Sequence, residues 1–246
     1  MKHARVRFYG DLNDFLPPEK RGVAVDYFFE VSGSVKDMIE TLGVPHPEVD
    51  LILVNSESVD FSWLVKDANL VSVYPLFSTI DITPIMRVRP QPLRRIRFVL
   101  DIHLGRLATY LRLLGFDSLY RNDFRDEELA RISCIEDRIL LTRDRGLLKR
   151  ARITYGYCVR ESDIRRQVLE VLRRFDLFSS IAPFRRCLRC NELLQPVSKE
   201  SIRHKLPPRV ERDYDEFHIC PVCGRIYWKG SHYERMHTFI VQVASG

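Results

Sequence analysis

Two short cysteine pairs constrain this chain more than any other feature. Cys187-Leu-Arg-Cys190 and Cys220-Pro-Val-Cys223 are C-x-x-C knuckles with 29 residues between Cys190 and Cys220. Four thiolates in this arrangement make a tetrahedral zinc ribbon. Such a site is closed, and therefore structural rather than catalytic. A redox reading would need a lone pair placed after a βα turn, and neither pair is placed so. His232 is near in sequence, but four cysteines already complete the shell. Cys134 and Cys158 stand apart in apolar or mixed stretches and read as buried small hydrophobes.

The rest of the 246-residue chain divides by charge. Residues 1–86 carry 7 Lys+Arg against 13 Asp+Glu, a net of −6. Residues 87–246 carry 32 against 20, a net of +12, and the two together return the overall +6. An acidic front joined to a basic remainder predicts separate modules, the second facing a polyanion such as nucleic acid. No apolar run approaches the roughly 20 residues that span a bilayer, and the charged start MKHARVRFYG is no signal peptide. The expectation is a cytoplasmic protein without membrane contact.

Residues 2–9 alternate polar and apolar, as a half-buried strand does, and 22–31 read as a second strand. Ser34 is placed to cap a short helix over VKDMIETL, which Gly43-Val44-Pro45 ends. Residues 49–54 and 69–77 are further β runs. The order β-β-α-β-β resembles the ubiquitin-like β-grasp fold of the small sulfur-carrier type. The Pro- and Arg-rich stretch around 84–95 reads as a linker, solvated or touching nucleic acid.

Beyond it, strands alternate with helices, the pattern of an α/β parallel sheet. IRFVLD ends in Asp101. Leu104, Leu107, Ala108, Leu111 and Leu114 then mark one face of a helix, with Gly115 at its end. Residues 116–120, RILLT at 138–142 and 155–160 are the other expected strands. Asp126 and either Ser162 or Asp163 stand at helix starts. Active sites of open parallel sheets gather beyond the carboxyl ends of the strands, where Asp101 and Asp144 fall. Clustered carboxylates need a neutralising cation, and oxygen ligands select Mg²⁺ or Mn²⁺. Each aspartate also has a plainer use. Asp101, Asp126 and Asp163 can cap helices, and Asp144 can serve a turn.

The segment RFVLDIHLGRLATYLRLLGFDSLYRNDFRDEEL, followed by RILLTRDRGLLKR, resembles the PIN-like ribonuclease family of the Mut-seven C-terminal domain. The resemblance covers about residues 95–230, and CNELLQPV and CGRIYWKGSHYERM resemble its zinc-ribbon end. It implies metal-dependent RNA cleavage by an acidic cluster. Carried over, Asp101 and Asp144 match the main positions, Asp126 (with Asp123 as competitor) the helix acid, and Asp163 a looser fourth.

The expected architecture is a ubiquitin-like α+β domain over 1–83, a linker over 84–94, a PIN-like parallel sheet flanked by helices over 95–182, and a zinc ribbon over 183–246. Arg106, Arg112, Arg143, Arg145 and Lys149 flank the aspartates, and Trp228 and Lys229 follow the second knuckle. These are the candidate RNA contacts, set against solvated helix faces and, for Trp228, a core position. The function expected is a metal-dependent ribonuclease. The alternative is a non-catalytic RNA- or ribosome-binding adaptor. A sulfur-carrier role would need a free Gly-Gly terminus, which YPLF is not, so the N-terminal module is expected to dock a protein partner.

Overall fold

The structure is a computed structural model that describes residues 1–77, 81–89 and 95–244. In chain order the strands and helices are β1 (Lys2–Phe8), β2 (Ala24–Phe29), α1 (Val35–Thr41), β3 (Val49–Val54), β4 (Glu57–Ser58), β5 (Leu70–Pro75), β6 (Phe98–Leu100), α2 (Gly105–Leu113), β7 (Ser118–Leu119), α3 (Asp126–Ile135), β8 (Ile139–Thr142), α4 (Arg145–Leu148), β9 (Gly156–Cys158) and α5 (Ile164–Arg174). The cysteine region adds β10 (Gln195–Val197), α6 (Lys199–Ile202), α7 (Pro208–Asp213), β11 (Phe217–Ile219), β12 (Ile226–Tyr227) and α8 (Ser231–Ala244). These form two compact units. One holds Met1–Arg95 with Arg125–Cys158, the other Ile96–Phe124 with Val159–Gly246.

The first unit contains a mixed five-stranded sheet in the order β2-β1-β5-β3-β4. β1 pairs antiparallel with β2 and parallel with β5, and β3 pairs antiparallel with β4 and β5. The alternation read in β1 is real: Ala4, Val6 and Phe8 are buried while Arg5 and Arg7 are exposed. Ser34 caps α1 through a reciprocal pair of bonds. Its Oγ accepts from Asp37 N at 3.1 Å, and Asp37 Oδ2 accepts from Ser34 N at 3.4 Å. This satisfies donors that a helix start leaves open.

The same unit includes α3, β8, α4 and β9, with β8 and β9 parallel. What ties them to the N-terminal module is a set of polar contacts. The His46 ring, 5% exposed, lies 2.6 Å from Glu40 Oε1 and 2.7 Å from the Ile153 carbonyl. Lys149 Nζ donates to the Glu40 carbonyl at 2.7 Å. Arg89 donates to the Pro47 carbonyl, pairs with Asp50 at 2.5 Å, and lies over the Tyr155 ring. Part of the stretch expected as a linker packs against this unit. Val88 is buried and Arg89 holds an almost solvent-free ion pair, because a buried guanidinium must find acceptors. Residues 90–94 of that stretch lie outside the described residues.

In the second unit β6 and β7 pair in parallel, as β8 and β9 do in the first, so the strands of the C-terminal part are parallel and accompanied by helices as expected. Leu104, Leu107, Ala108, Leu111 and Leu114 are all buried, as their spacing requires. Gly115 adopts φ +96°, and a Cβ there would come within 2.2 Å of the Ala182 carbonyl oxygen. The chain thus turns where only glycine fits. The ribbon strands run in the order β10-β11-β12, and Ile202, Leu206 and Phe217 form a small core of their own. No helix among the described residues is long and apolar enough to cross a membrane.

Candidate active site and metal centre

Asp144 stands directly after β8. Its N–H donates to Thr142 Oγ1 at 2.9 Å, which fixes the turn. Its Oδ1 accepts from Gly146 N at 2.7 Å and Leu147 N at 3.3 Å, capping α4. Oδ2 accepts no hydrogen bond among the described residues, and the residue is exposed. One oxygen therefore holds the backbone while the other stays available to a cation. Arg143 and Arg145 on either side are also exposed, with the Arg145 guanidinium 4.9 Å from the centre of the Phe15 ring. Lys149, expected beside them on RNA, instead bonds the Glu40 carbonyl.

Asp126 is the first residue of α3 rather than its cap, which is Arg125. An acid in a first turn still complements the helix dipole. Its Oδ2 pairs with Arg150 at 3.1 Å, and Arg150 also reaches Glu127 at 3.0 Å. Arg150 was not among the expected site residues. The competing Asp123 is held by Arg121 through two bonds of 2.9 and 2.7 Å, a pairing that lowers its pKa. Cys134 on α3 is exposed, against expectation; its position faces away from the buried Leu129, Ala130, Ile132 and Ser133.

In the second unit Asp101 follows β6 and is 6% exposed. Its Oδ1 accepts from Ile102 N at 2.6 Å. Asp163 caps α5, its Oδ1 accepting from Arg165 N and Arg166 N at 3.0 and 3.1 Å. Arg106 on α2 is exposed.

Arg112 is corrected. It is 3% exposed, and its Nη1 donates to the carbonyls of Leu188 and Arg189 at 3.0 and 2.7 Å. Its Nε donates to the Ser118 carbonyl at 2.9 Å. It lies four residues after Ala108, on the buried stripe of α2, which is the signal that would have placed it inside.

The cysteines come together as expected. Cys187 Sγ lies 3.5 Å from Cys223 Sγ, and Cys190 Sγ 3.3 Å from Cys220 Sγ. All four sulfurs fall within 4.8 Å of one another. Tetrahedral thiolates at a Zn–S distance of about 2.3 Å would be about 3.8 Å apart, so the donor set fits zinc. Among the described residues this is the one group of three or more Cys, His, Asp or Glu side chains close enough to hold a metal.

The two knuckles share one backbone plan. Cys187 N donates to Glu192 O, and Cys220 N to Arg225 O. Asn191 N returns to Cys187 O, and Gly224 N to Cys220 O, all at 2.8–2.9 Å. The residue four after the first cysteine takes the left-handed conformation in both: Asn191 at φ +71° and Gly224 at +69°. Asn191 is chosen over glycine for its side chain, which accepts from Ser118 N and donates to Asp117 at 2.9 and 2.7 Å.

Around the sulfurs lies a layer that the residue spacing did not reveal. Tyr227 Oη accepts from Leu188 N at 3.0 Å and donates to Cys187 Sγ at 3.2 Å. Burial pushes the Cys187 thiol up, but the Tyr227 hydroxyl and the amides of residues 190 and 189 outweigh it and bring it down to about 6. Burial and the Cys187 sulfur raise the Tyr227 phenol. The Arg112 guanidinium sits beside this sulfur-rich site as a counter-charge.

Trp228 is half-buried and packs against Phe217, so the core reading holds for part of its ring. Lys229 is exposed and pairs with Glu216 at 2.8 Å.

Comparison with protein families adds to this geometry. Residues 96–240, more than half of the chain, match the model described as Mut7-C RNAse domain. The chain belongs to the Mut7-C RNAse family. Residues 1–81 match a second model, Mut7-C ubiquitin, which agrees with the mixed sheet at the N-terminus. No curated protein and no solved structure matches the chain. The family matches divide the chain differently from its packing, since residues 125–158 of the Mut7-C RNAse segment cluster with the ubiquitin-like module.

Proposed function

We propose that this Mut7-C RNAse chain is a metal-dependent ribonuclease that hydrolyses RNA phosphodiester bonds in the cytoplasm. The observation that carries the reading is the family match together with Asp101 and Asp144 at the carboxyl ends of the parallel strands β6 and β8. The family resemblance gives Asp101 and Asp144 the main positions for Mg²⁺ or Mn²⁺, with Asp126 and Asp163 as further acids. Such an ion supplies an activated water and stabilises charge on the phosphate. Asp144 suits the task because one oxygen orients the carboxylate through the α4 cap while the other is left unbonded. Arg106, Arg143 and Arg145 are exposed and would grip phosphates. The four cysteines would hold a structural zinc.

A second reading, an RNA-binding adaptor without turnover, is favoured by one fact. Asp101, Asp144 and Asp163 cap helical turns and Asp126 forms an ion pair, so each has a structural use. Asp144→Asn separates the two. Asparagine caps a helix as well as aspartate, so fold and RNA binding should persist. We expect cleavage in Mn²⁺ to fall at least a hundredfold. Full cleavage by the pure variant would end the assignment, and no cleavage by the unaltered chain at any Mg²⁺ or Mn²⁺ level would leave the adaptor.

A further inference from the structure

Beside the cysteines lies a cleft of about 80 Å³ with mostly apolar walls. Phe184, Leu188, Tyr227, Trp228, Tyr233 and Met236 line it, and Arg186, His218, Glu216 and Lys229 stand at the same hollow. Five of these residues also wall a second hollow of about 280 Å³, which adds Arg225. The aromatic surface is therefore open on two sides.

We propose that this cleft is a subsite for one unpaired RNA base, rimmed by cations that hold the flanking phosphates. The inference rests on the reading of this Mut7-C RNAse chain as an RNA enzyme.

Three features favour a base over an aliphatic side chain. The walls are flat rings: Phe184 and Tyr233 stack with centroids 4.1 Å apart, and Trp228 is only half-buried. Every base offers a π-face to such surfaces, and stacking of this kind tolerates any sequence. The cleft is also held open in a fixed shape. Tyr227 is anchored by the Leu188 amide, and a Cβ at Gly230 would lie 2.6 Å from Trp228 Nε1, so the chain passes closely behind the indole. A preformed slot loses little entropy on binding. Finally, the surroundings carry the right sign. Residues 183–246 contain 11 Lys+Arg and 7 Asp+Glu, a net of +4. Arg225 and Lys229 are exposed at the rim, Lys229 in a solvent-exposed pair with Glu216, while Arg186 is held by the Gly115 and Asn191 carbonyls and by Asp117. A greasy peptide or lipid tail would have no use for that rim.

The test uses the full chain carrying Trp63→Phe, which leaves Trp228 as the one indole that reports. A single-stranded ten-nucleotide uridine RNA and an abasic strand of equal length and charge are titrated without added divalent ions. Trp228 fluorescence is followed, and cleavage in Mn²⁺ is assayed alongside. We expect quenching by the uridine strand and about tenfold weaker binding of the abasic strand. Tyr233→Ala should remove most of that difference while leaving the abasic affinity unchanged. Equal binding of both strands by the unmutated cleft, without quenching, would overturn the inference even if Tyr233→Ala failed to fold. Cleavage with equal binding would spare the ribonuclease reading and sink only the subsite. Base-dependent binding without cleavage would do the opposite.

Discussion

Oε1 of Glu48 accepts a 2.5 Å hydrogen bond from the backbone N–H of Cys158, 110 residues further along the chain. The Glu48 side chain has no solvent exposure, and Cys158 ends β9. The bond therefore closes the end of a parallel strand with a carboxylate from the ubiquitin-like module. Glu48→Ala would strand a buried amide. It should cost about 1–3 kcal/mol in urea unfolding. A variant within 0.5 kcal/mol of the parent, about the range of ordinary surface changes, would show that the contact is dispensable.

Arg112 and Arg106 lie on the same helix and should behave oppositely. Arg112→Ala leaves the carbonyls of Leu188, Arg189 and Ser118 without their donor, so about 1.5–3 kcal/mol of stability should go. Arg106→Ala should leave stability intact and lower the slope of log affinity for RNA against log salt by about one. Thermal unfolding and salt titrations of both variants check the pair. The reverse outcome would place Arg112 on the RNA.

Tyr227 should act on zinc retention through Cys187. Tyr227→Phe keeps the ring and removes both the hydrogen bond to sulfur and the acceptor for Leu188 N. Zinc affinity, measured by competition with a chromophoric chelator, should fall about 10–100-fold. Unchanged affinity would mean that the four cysteines alone set it.

Gly105 begins α2 just after the Asp101 turn, and a Cβ there would come within 2.6 Å of Tyr120 Oη. That hydroxyl donates to the Ile102 carbonyl at 3.0 Å. Gly105→Ala should destabilise by about 1–3 kcal/mol through overpacking, and reduce cleavage by moving the residue next to Asp101. The double variant Gly105→Ala with Tyr120→Ala relieves the clash. If it unfolds no later than Gly105→Ala alone, the crowding is not the cause.

Several parts of this protein were legible before any fold was known. The paired C-x-x-C knuckles, the Ser34 cap, the β3 run at Val49–Val54 and the apolar stripe from Leu104 to Leu114 all appear where the residues put them. Each depends on neighbours within a few positions: a side-chain period, a cap, a turn residue or a ligand spacing. Even Asp101 and Asp144 at strand ends follow from local pattern.

The fate of the cations was decided by tertiary structure. Arg112, Lys149 and Arg89 read as basic surface, yet they bond to Leu188, Glu40 and Pro47, between 42 and 109 residues away. Local spacing cannot say whether a charged end meets water or a distant carbonyl. Burial makes that choice, because a charge taken out of water must be met by acceptors that the fold brings to it. The sequence by itself determined that the cysteines could gather around a metal and that strands would end in aspartates. Only the packing of distant segments determined which arginines and lysines remained exposed.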